Sequence, residues 1–139
     1  MNTQVSSSSG SLSARQVLIM MVSGVIVWFA AALLLHWLVP LGAFDGAMRV
    51  LTYLLVIPGT LPVLYGMIRL AGLSAAQVVP GFALGTGTAL LCDGIAAAWF
   101  PGLYGATADH VRLAAAAVLW GAGVGIMLAF AVAHRMSRS

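Results

Sequence analysis

The chain has 139 residues, of which 62% are hydrophobic and only 6% are charged, and its six arginines outnumber three aspartates to give a net charge of +3. Soluble domains carry about 25% charged residues, so this chain lacks the charged groups to cover a water-facing surface. The composition therefore predicts an integral membrane protein of one domain, and the six scattered arginines are too few for a nucleic-acid-binding surface.

The first 14 residues are polar and serine-rich and show no apolar periodicity, so they predict a disordered tail. Four apolar runs follow, and each reaches the length of about 20 residues that a helix needs to cross the hydrocarbon core. They are residues 17–39, 50–70, 78–100 and 111–133. The first run is too long for the apolar part of a cleaved signal peptide, which indicates a retained span.

Short links that contain glycine join the four runs, and two of the links open with proline, as is typical where helices end. Because short links force neighbouring long helices to run antiparallel, the sequence predicts one all-α transmembrane domain over residues 15–139, an up-down four-helix bundle. The first and third runs also end alike, in WLVPLGAFD and WFPGLYGATAD, although the runs themselves align poorly.

The arginines near the ends of the runs predict the orientation of the chain, since positive residues favour the cytoplasmic side of a membrane. Two of them, Arg49 and Arg112, fall on the side opposite the N-terminus. The four on the N-terminal side are Arg15, Arg69, Arg135 and Arg138. This bias predicts that both termini lie in the cytoplasm.

The second run contains the sequence PGTLP, with Pro58 near its centre and Pro62 one turn later. A proline inside a helix removes a backbone hydrogen bond and leaves a carbonyl without its donor, which Thr60 is placed to supply for one of the two. Two interpretations stay open. The segment is either a kink that serves packing, or a helix break of the kind that transporters use to coordinate ions.

Asp93, in the third run, is the only acidic residue inside any of the four runs. A carboxylate in hydrocarbon is costly, so it needs a partner or a proton. The candidate partners are Arg49, Arg112, Thr52, Tyr53 and Thr86. One hypothesis makes Asp93 a structural anchor that fixes the register of the bundle. The other makes it a proton or cation site on a small outward-facing cavity.

Small residues recur every four positions along the third and fourth runs, so each set forms a stripe on one side of its helix. They include Gly81, Gly85, Ala89, Gly121 and Gly125. Small-residue stripes let helices approach closely in lipid. We expect these two stripes to form the contact between the third and fourth helices, with a homodimer face as the alternative.

The sequence offers little for metal, cofactor or catalytic chemistry. No two of the histidines His36, His110 and His134 are spaced to share one helix face, and the single cysteine, Cys92, excludes an intramolecular disulfide and a CxxC motif. Nucleophile, phosphate-binding and paired-carboxylate motifs are also missing. We therefore expect neither a metal, nor a cofactor, nor an enzymatic activity.

The pattern LLCDGIAAAWFPGLYG, followed after a short link by AAAAVLWGAGVGIML, resembles a family of small four-span bacterial membrane proteins of unknown function. The resemblance covers the last third of the chain. The residues that carry it are Asp93, Pro101, Tyr104, Leu119, Trp120, Gly121 and Gly125. It implies four spans and a bacterial inner membrane, and it brings no activity with it.

The leading functional hypothesis is an accessory or assembly component of the membrane, solvated by lipid and associated with itself or with another membrane protein. The alternative is a minimal oligomeric transporter or channel that uses Asp93 and the PGTLP segment. We expect such a transporter to be oligomeric, because a single four-helix protomer should leave little room for a pathway. A membrane enzyme or cofactor carrier is the third hypothesis.

Overall fold

The structure, a computed structural model, describes residues 10–138, and within them it is all-helical. Four long helices, α1 (Ala14–Leu38), α2 (Gly46–Ala71), α3 (Ala75–Trp99) and α4 (Ala108–Met136), are joined by short links, the last of which contains a 3-10 turn over Pro101–Leu103. Each of the four is long and apolar enough to cross a membrane. The prediction of an all-α fold with four helices long and apolar enough to span a membrane is confirmed.

Each helix begins three or four residues before the apolar run that predicted it, and side-chain capping stabilises the first turn of α1, α3 and α4. At the start of α1, Gln16 Oε1 accepts from the Ser13 backbone N–H at 2.9 Å and the Ser13 Oγ accepts from the Gln16 N–H at 3.2 Å. This reciprocal pair is a capping box, and Ser74 and Gln77 form the second one at the start of α3. Hydropathy alone does not detect such a turn.

The predicted disordered tail, residues 1–14, falls outside the described residues at positions 1–9 and differs from the structure at positions 10–14. The carbonyl of Ser11 accepts from Gln77 Nε2 at 2.8 Å. Leu12 packs against the buried cluster between the helices, and Ala14 is already helical. Packing of Leu12 and N-capping of α1 by Ser13 order these residues. The serine-rich composition does not reveal either interaction.

A close helix crossing lies between α1 and α3, where Gly24 meets the backbone of Gly85. A Cβ atom at Gly24 would overlap the carbonyl oxygen of Gly85, so neither helix leaves space for a side chain there. The α3 and α4 stripes were expected to form the contact between these two helices. The helices do pack on each other, and Gly125 of α4 receives the ring of Phe82 of α3. The α3 stripe itself faces elsewhere, because Gly85 packs against α1 and α2 and Gly81 against Leu73.

A short sequence repeat underlies the α1–α3 contact. Residues 12–17 read LSARQV and residues 73–78 read LSAAQV, an offset of 61 that also superimposes Gly24 on Gly85. Gln16 and Gln77, which are equivalent in this alignment, exchange side-chain amide hydrogen bonds of 3.1 and 3.2 Å. Residues that are equivalent in the repeat therefore contact each other between α1 and α3, as residues near a two-fold axis do.

The two prolines of α2 do not interrupt it, so the predicted helix break at PGTLP is absent. The helix is continuous from Gly46 to Ala71 through both Pro58 and Pro62. Thr60 Oγ1 donates to the carbonyl of Val56 at 2.7 Å, and not to either carbonyl that the prolines leave without a backbone donor. Each proline removes only one backbone bond, and the turns around them retain enough bonds to continue.

Two buried clusters hold the bundle together. Met20, Leu64, Val78 and Phe82 belong to the first. The second gathers Ala32, Leu35, Phe44, Tyr104 and Ala114, and it includes residues of the α1–α2 and α3–α4 links. The helices α1 and α3 pack closely, as do α3 and α4; α2 packs chiefly on α4, and α1 and α2 contact each other sparsely. This uneven packing leaves space between them.

Candidate intramembrane binding site

The carboxylate of Asp93 is held by a hydrogen-bonded network of three residues. The Tyr104 hydroxyl, in the link between α3 and α4, donates to Asp93 Oδ1. In turn, Trp28 Nε1 on α1 donates to the Tyr104 hydroxyl oxygen at 3.2 Å. These three residues, here called the Asp93 network, tie together α1, α3 and the α3–α4 link. The carboxylate lies about 9 Å inside the C-terminal end of α3, at 1.5 Å per residue.

Tyr104 acts as a fixed donor in this network. Its side chain is 3% exposed. Burial, reinforced by the bond to the Asp93 carboxylate, raises the pKa of the Tyr104 phenol above its ordinary value of 10.0. The hydroxyl therefore keeps its proton at neutral pH and directs it to the carboxylate.

The two arginines predicted as partners of Asp93 are bonded elsewhere. Arg49 Nε donates to the carbonyl of Phe44 at 2.8 Å. Arg112 Nε lies 3.4 Å from Asp109 Oδ1, and both of these side chains are largely exposed. Each arginine stays at the end of its helix, where a local acceptor is nearer than a carboxylate inside the span. The structure therefore brings no arginine to Asp93 within residues 10–138.

The predicted hydroxyl partners are divided between two environments. Tyr53 joins an aromatic cluster with Phe44 and Trp120, at ring-centre distances of 6.3 and 5.4 Å. Thr52 Oγ1 donates to the carbonyl of Ala43 at 2.6 Å. Thr52 nevertheless lines the same cavity as Asp93, and so does Thr86. These two threonines share the space around the carboxylate without bonding to it.

A cavity of about 600 Å³ occupies the middle of the bundle beside Asp93. All four helices line it, and residues of both buried clusters close its ends. Its lining is apolar apart from Trp28, Thr52, Thr60, Thr86 and Asp93. A single protomer was expected to leave little room for a transport pathway; the bundle does contain space for a bound molecule.

The small residues of the predicted stripes shape this cavity as well as the helix contacts. Ala89 and Gly121 both line it, and a Cβ atom on Gly121 would meet only Val56, at 3.9 Å. At these positions the small side chains keep space open, whereas at Gly81, Gly85 and Gly125 they let neighbouring groups pack closely. Spacing in the sequence does not distinguish these two uses.

The cavity opens sideways between α1 and α2. Its exposed lining residues lie on these two helices only, and they include Leu34 and Leu55, each 58% exposed. The lining residues of α3 and α4 are buried or half-buried. Leu34 and Leu55 both belong to helices long and apolar enough to span a membrane, and the opening lies along their length.

Two residues of the Asp93 network were missed from the sequence as its partners. Tyr104 was expected at the membrane interface and Trp28, near the middle of its run, in helix packing, although an indole N–H inside an apolar run needs an acceptor. The repeat shows why the site occurs once: the equivalents of Trp28 and Asp93, at an offset of 61, are Ala89 and Ala32. Trp28 and Asp93 are thus at positions where the two repeated segments have different residues.

Comparison of the chain with protein-family models, with curated proteins and with solved structures finds no match in any of the three. The resemblance of the last third of the chain to four-span bacterial membrane proteins thus has no matching family model behind it. No activity is transferred to this chain from a relative.

Proposed function

We propose that this multi-pass membrane protein binds a lipophilic small molecule, which enters its central cavity sideways from the hydrocarbon core of the bilayer. The observation that carries the proposal is the cavity itself, about 600 Å³ of apolar-walled space with one carboxylate. Ligand sites typically measure ~300–1,000 Å³ and combine apolar walls with a few placed polar groups. Because one bundle lines the cavity, the binding step needs no second copy.

The orientation of the ligand follows from the placement of the polar groups. Asp93, Trp28 and Thr52 lie toward the end of the bundle that carries the α1–α2 and α3–α4 links. Met67 and Phe82 close the opposite end of the cavity with apolar surface. An amphiphile therefore fits with its polar group at Asp93 and its apolar part against Met67 and Phe82.

For the topology we propose an up-down bundle in a bacterial inner membrane, with both termini in the cytoplasm. The arginine bias supports this orientation, because four of the six arginines fall on the side of the termini. Reporter fusions after Arg138 and at the N-terminus should both report the cytoplasm, and a fusion in the α1–α2 link should report the opposite side. Termini on opposite sides would contradict this topology.

An accessory or assembly role, alone or in a homo-oligomer, is the second candidate. The continuity of α2 favours it over a channel, since the helix break at Pro58 and Pro62 that would coordinate ions is absent. The two candidates differ in the state of the cavity. An accessory protein has no need to keep the cavity accessible to a lipophilic molecule, whereas a binding protein does.

A photoactivatable fatty alcohol, with a diazirine on its alkyl chain, tests the binding function in nanodiscs. Crosslinks should map to cavity residues such as Ala117 and Val118. Ala89→Phe fills the cavity and should abolish them. Ala83→Phe, on the exposed face of the same helix, is the matched control and should retain them. Equal labelling of the two variants, or no cavity labelling of the unmodified protein, would exclude the binding function.

A further inference from the structure

We infer that the ligand of this cavity is a lipophilic amine, whose protonated nitrogen binds the carboxylate of Asp93; this rests on the binding function proposed above. The basis is the set of hydrogen-bonding groups that the cavity wall presents. Nearly all of its donors are already used within the protein. What remains toward the cavity accepts hydrogen bonds, and the carboxyl group of Asp93 is the one acidic group among these acceptors.

Two threonines show this most clearly. Thr52 Oγ1 donates its proton to the carbonyl of Ala43 at 2.6 Å, and Thr60 Oγ1 donates to the carbonyl of Val56 at 2.7 Å. A hydroxyl has one donor and two lone pairs, so both threonines offer only acceptor sites to a ligand. Thr86, two turns before Asp93 on α3, is the lining hydroxyl whose proton is free to adapt.

The same holds for the Asp93 network. Trp28 gives its indole N–H to the Tyr104 hydroxyl, and Tyr104 gives its own proton to Asp93 Oδ1. An ionised carboxylate has about four lone-pair sites, of which Tyr104 occupies one. Asp93 is half-buried and lines the cavity, so acceptor sites on it remain for a bound molecule.

Among residues 10–138, no cationic side chain lines the cavity around that carboxylate. The cavity-lining residues, all of which belong to the described part of the chain, include no arginine, lysine or histidine. Arg49 and Arg112 are engaged at the helix ends with Phe44 and Asp109. A carboxylate in an apolar cavity lacks a counter-charge, and a ligand cation would supply it.

An ammonium group matches this wall better than the other head groups of membrane amphiphiles. It carries three donors and no acceptor. A fatty acid or a phosphate would place a second negative charge beside Asp93, which disfavours binding. A neutral alcohol can donate a hydrogen bond to Asp93 but lacks the charge that roughly doubles the strength of such a bond.

The test uses two photoprobes of equal chain length, a diazirine-bearing primary amine and its neutral N-acetyl amide, with the full-length protein in zwitterionic nanodiscs. Crosslinks in the cavity are divided by those at Leu91, a residue of α3 that is 72% exposed and lies outside the cavity. This ratio removes differences in how the two probes partition into lipid. In the unmodified protein the ratio should be about tenfold higher for the amine, the size of one charge-assisted hydrogen bond.

Asp93→Asn should remove the preference for the amine while both probes still label the cavity. Asp93→Glu, which keeps a carboxylate, should retain the preference. If the two probes label the cavity of the unmodified protein equally, or if Asp93→Asn keeps the preference, the amine assignment is overturned and the binding function stands. If neither probe labels the cavity, the binding function itself fails. The comparison of probes on the unmodified protein decides the matter even if Asp93→Asn does not fold.

Discussion

At the scale of single residues, local acceptors decide which groups reach Asp93. Arg49 bonds a carbonyl five residues before it and Arg112 a carboxylate three residues before it. To reach Asp93, either arginine would have to extend along its helix in one fixed conformation, and this would cost side-chain entropy. The local acceptors require no such extension. Tyr104 reaches Asp93 because the link after Pro101 turns back over the end of α1 and α3. The position of residues along the predicted helices identified candidate partners of Asp93, but it did not reveal that the α3–α4 link turns back toward the carboxylate.

Tyr104→Phe should destabilise the protein by about 1–3 kcal/mol, because it leaves both the Trp28 N–H and the Asp93 carboxylate short of a partner. Unfolding by increasing mole fraction of a denaturing detergent measures the loss. Tyr65→Phe is the matched control, since Tyr65 is 42% exposed. It should change the free energy of unfolding by no more than about 0.5 kcal/mol. Equal losses in the two variants would show that the network does not contribute to stability.

The raised pKa of the Tyr104 phenol predicts how stability changes in alkali. The folded state holds this proton more tightly than the unfolded state, so the stabilisation is complete below the ordinary value of 10.0 and is lost as pH rises through the raised value. An ultraviolet titration should show that part of the tyrosine absorbance change is delayed to higher pH. Tyr104→Phe should lack the delayed part. Its persistence in that variant would assign it to another tyrosine.

At the scale of the helices, hydropathy predicts where the elements are but not how they pair. The four apolar runs predicted the four helices to within four residues at each end. The small-residue spacing on α3 and α4 suggested that these two stripes face each other, yet Gly85 packs against Gly24 of α1. Equal spacing on two helices does not specify partners. The repeated LSAxQV start contains that information, because it aligns Gly24 with Gly85.

Gly24→Ala should separate α1 from α3, since the new methyl group would overlap the Gly85 carbonyl oxygen. Overpacking of this kind costs about 1–3 kcal/mol in the free energy of unfolding. Gly87→Ala, on α3 with no neighbouring atom within 4 Å of the added carbon, is the control. It should be neutral or stabilising by up to ~1 kcal/mol through helix propensity. A Gly24→Ala protein as stable as the Gly87→Ala protein would show that the crossing is looser than described.

At the scale of the whole molecule, the surface is apolar, unlike that of a soluble bundle, and a polar network lies among the apolar side chains of the interior. Leu41, Leu91 and Trp99 are each more than 70% exposed. The Asp93 network, by contrast, is half-buried to buried. Composition predicted lipid as the solvent because charge content is a property of the whole chain. The cavity could not be predicted, since it arises from the sparse contact between α1 and α2, which no local pattern records.

The most direct test of a cavity that opens into lipid is the fluorescence of Trp28, which lines it. In a variant with Phe at positions 37, 99 and 120, Trp28 is the only tryptophan. Lipids with brominated acyl chains should quench it strongly in nanodiscs. Ala89→Phe in that background should weaken the quenching, and Ala83→Phe should leave it unchanged. Quenching that Ala89→Phe does not alter would contradict a lipid-accessible cavity.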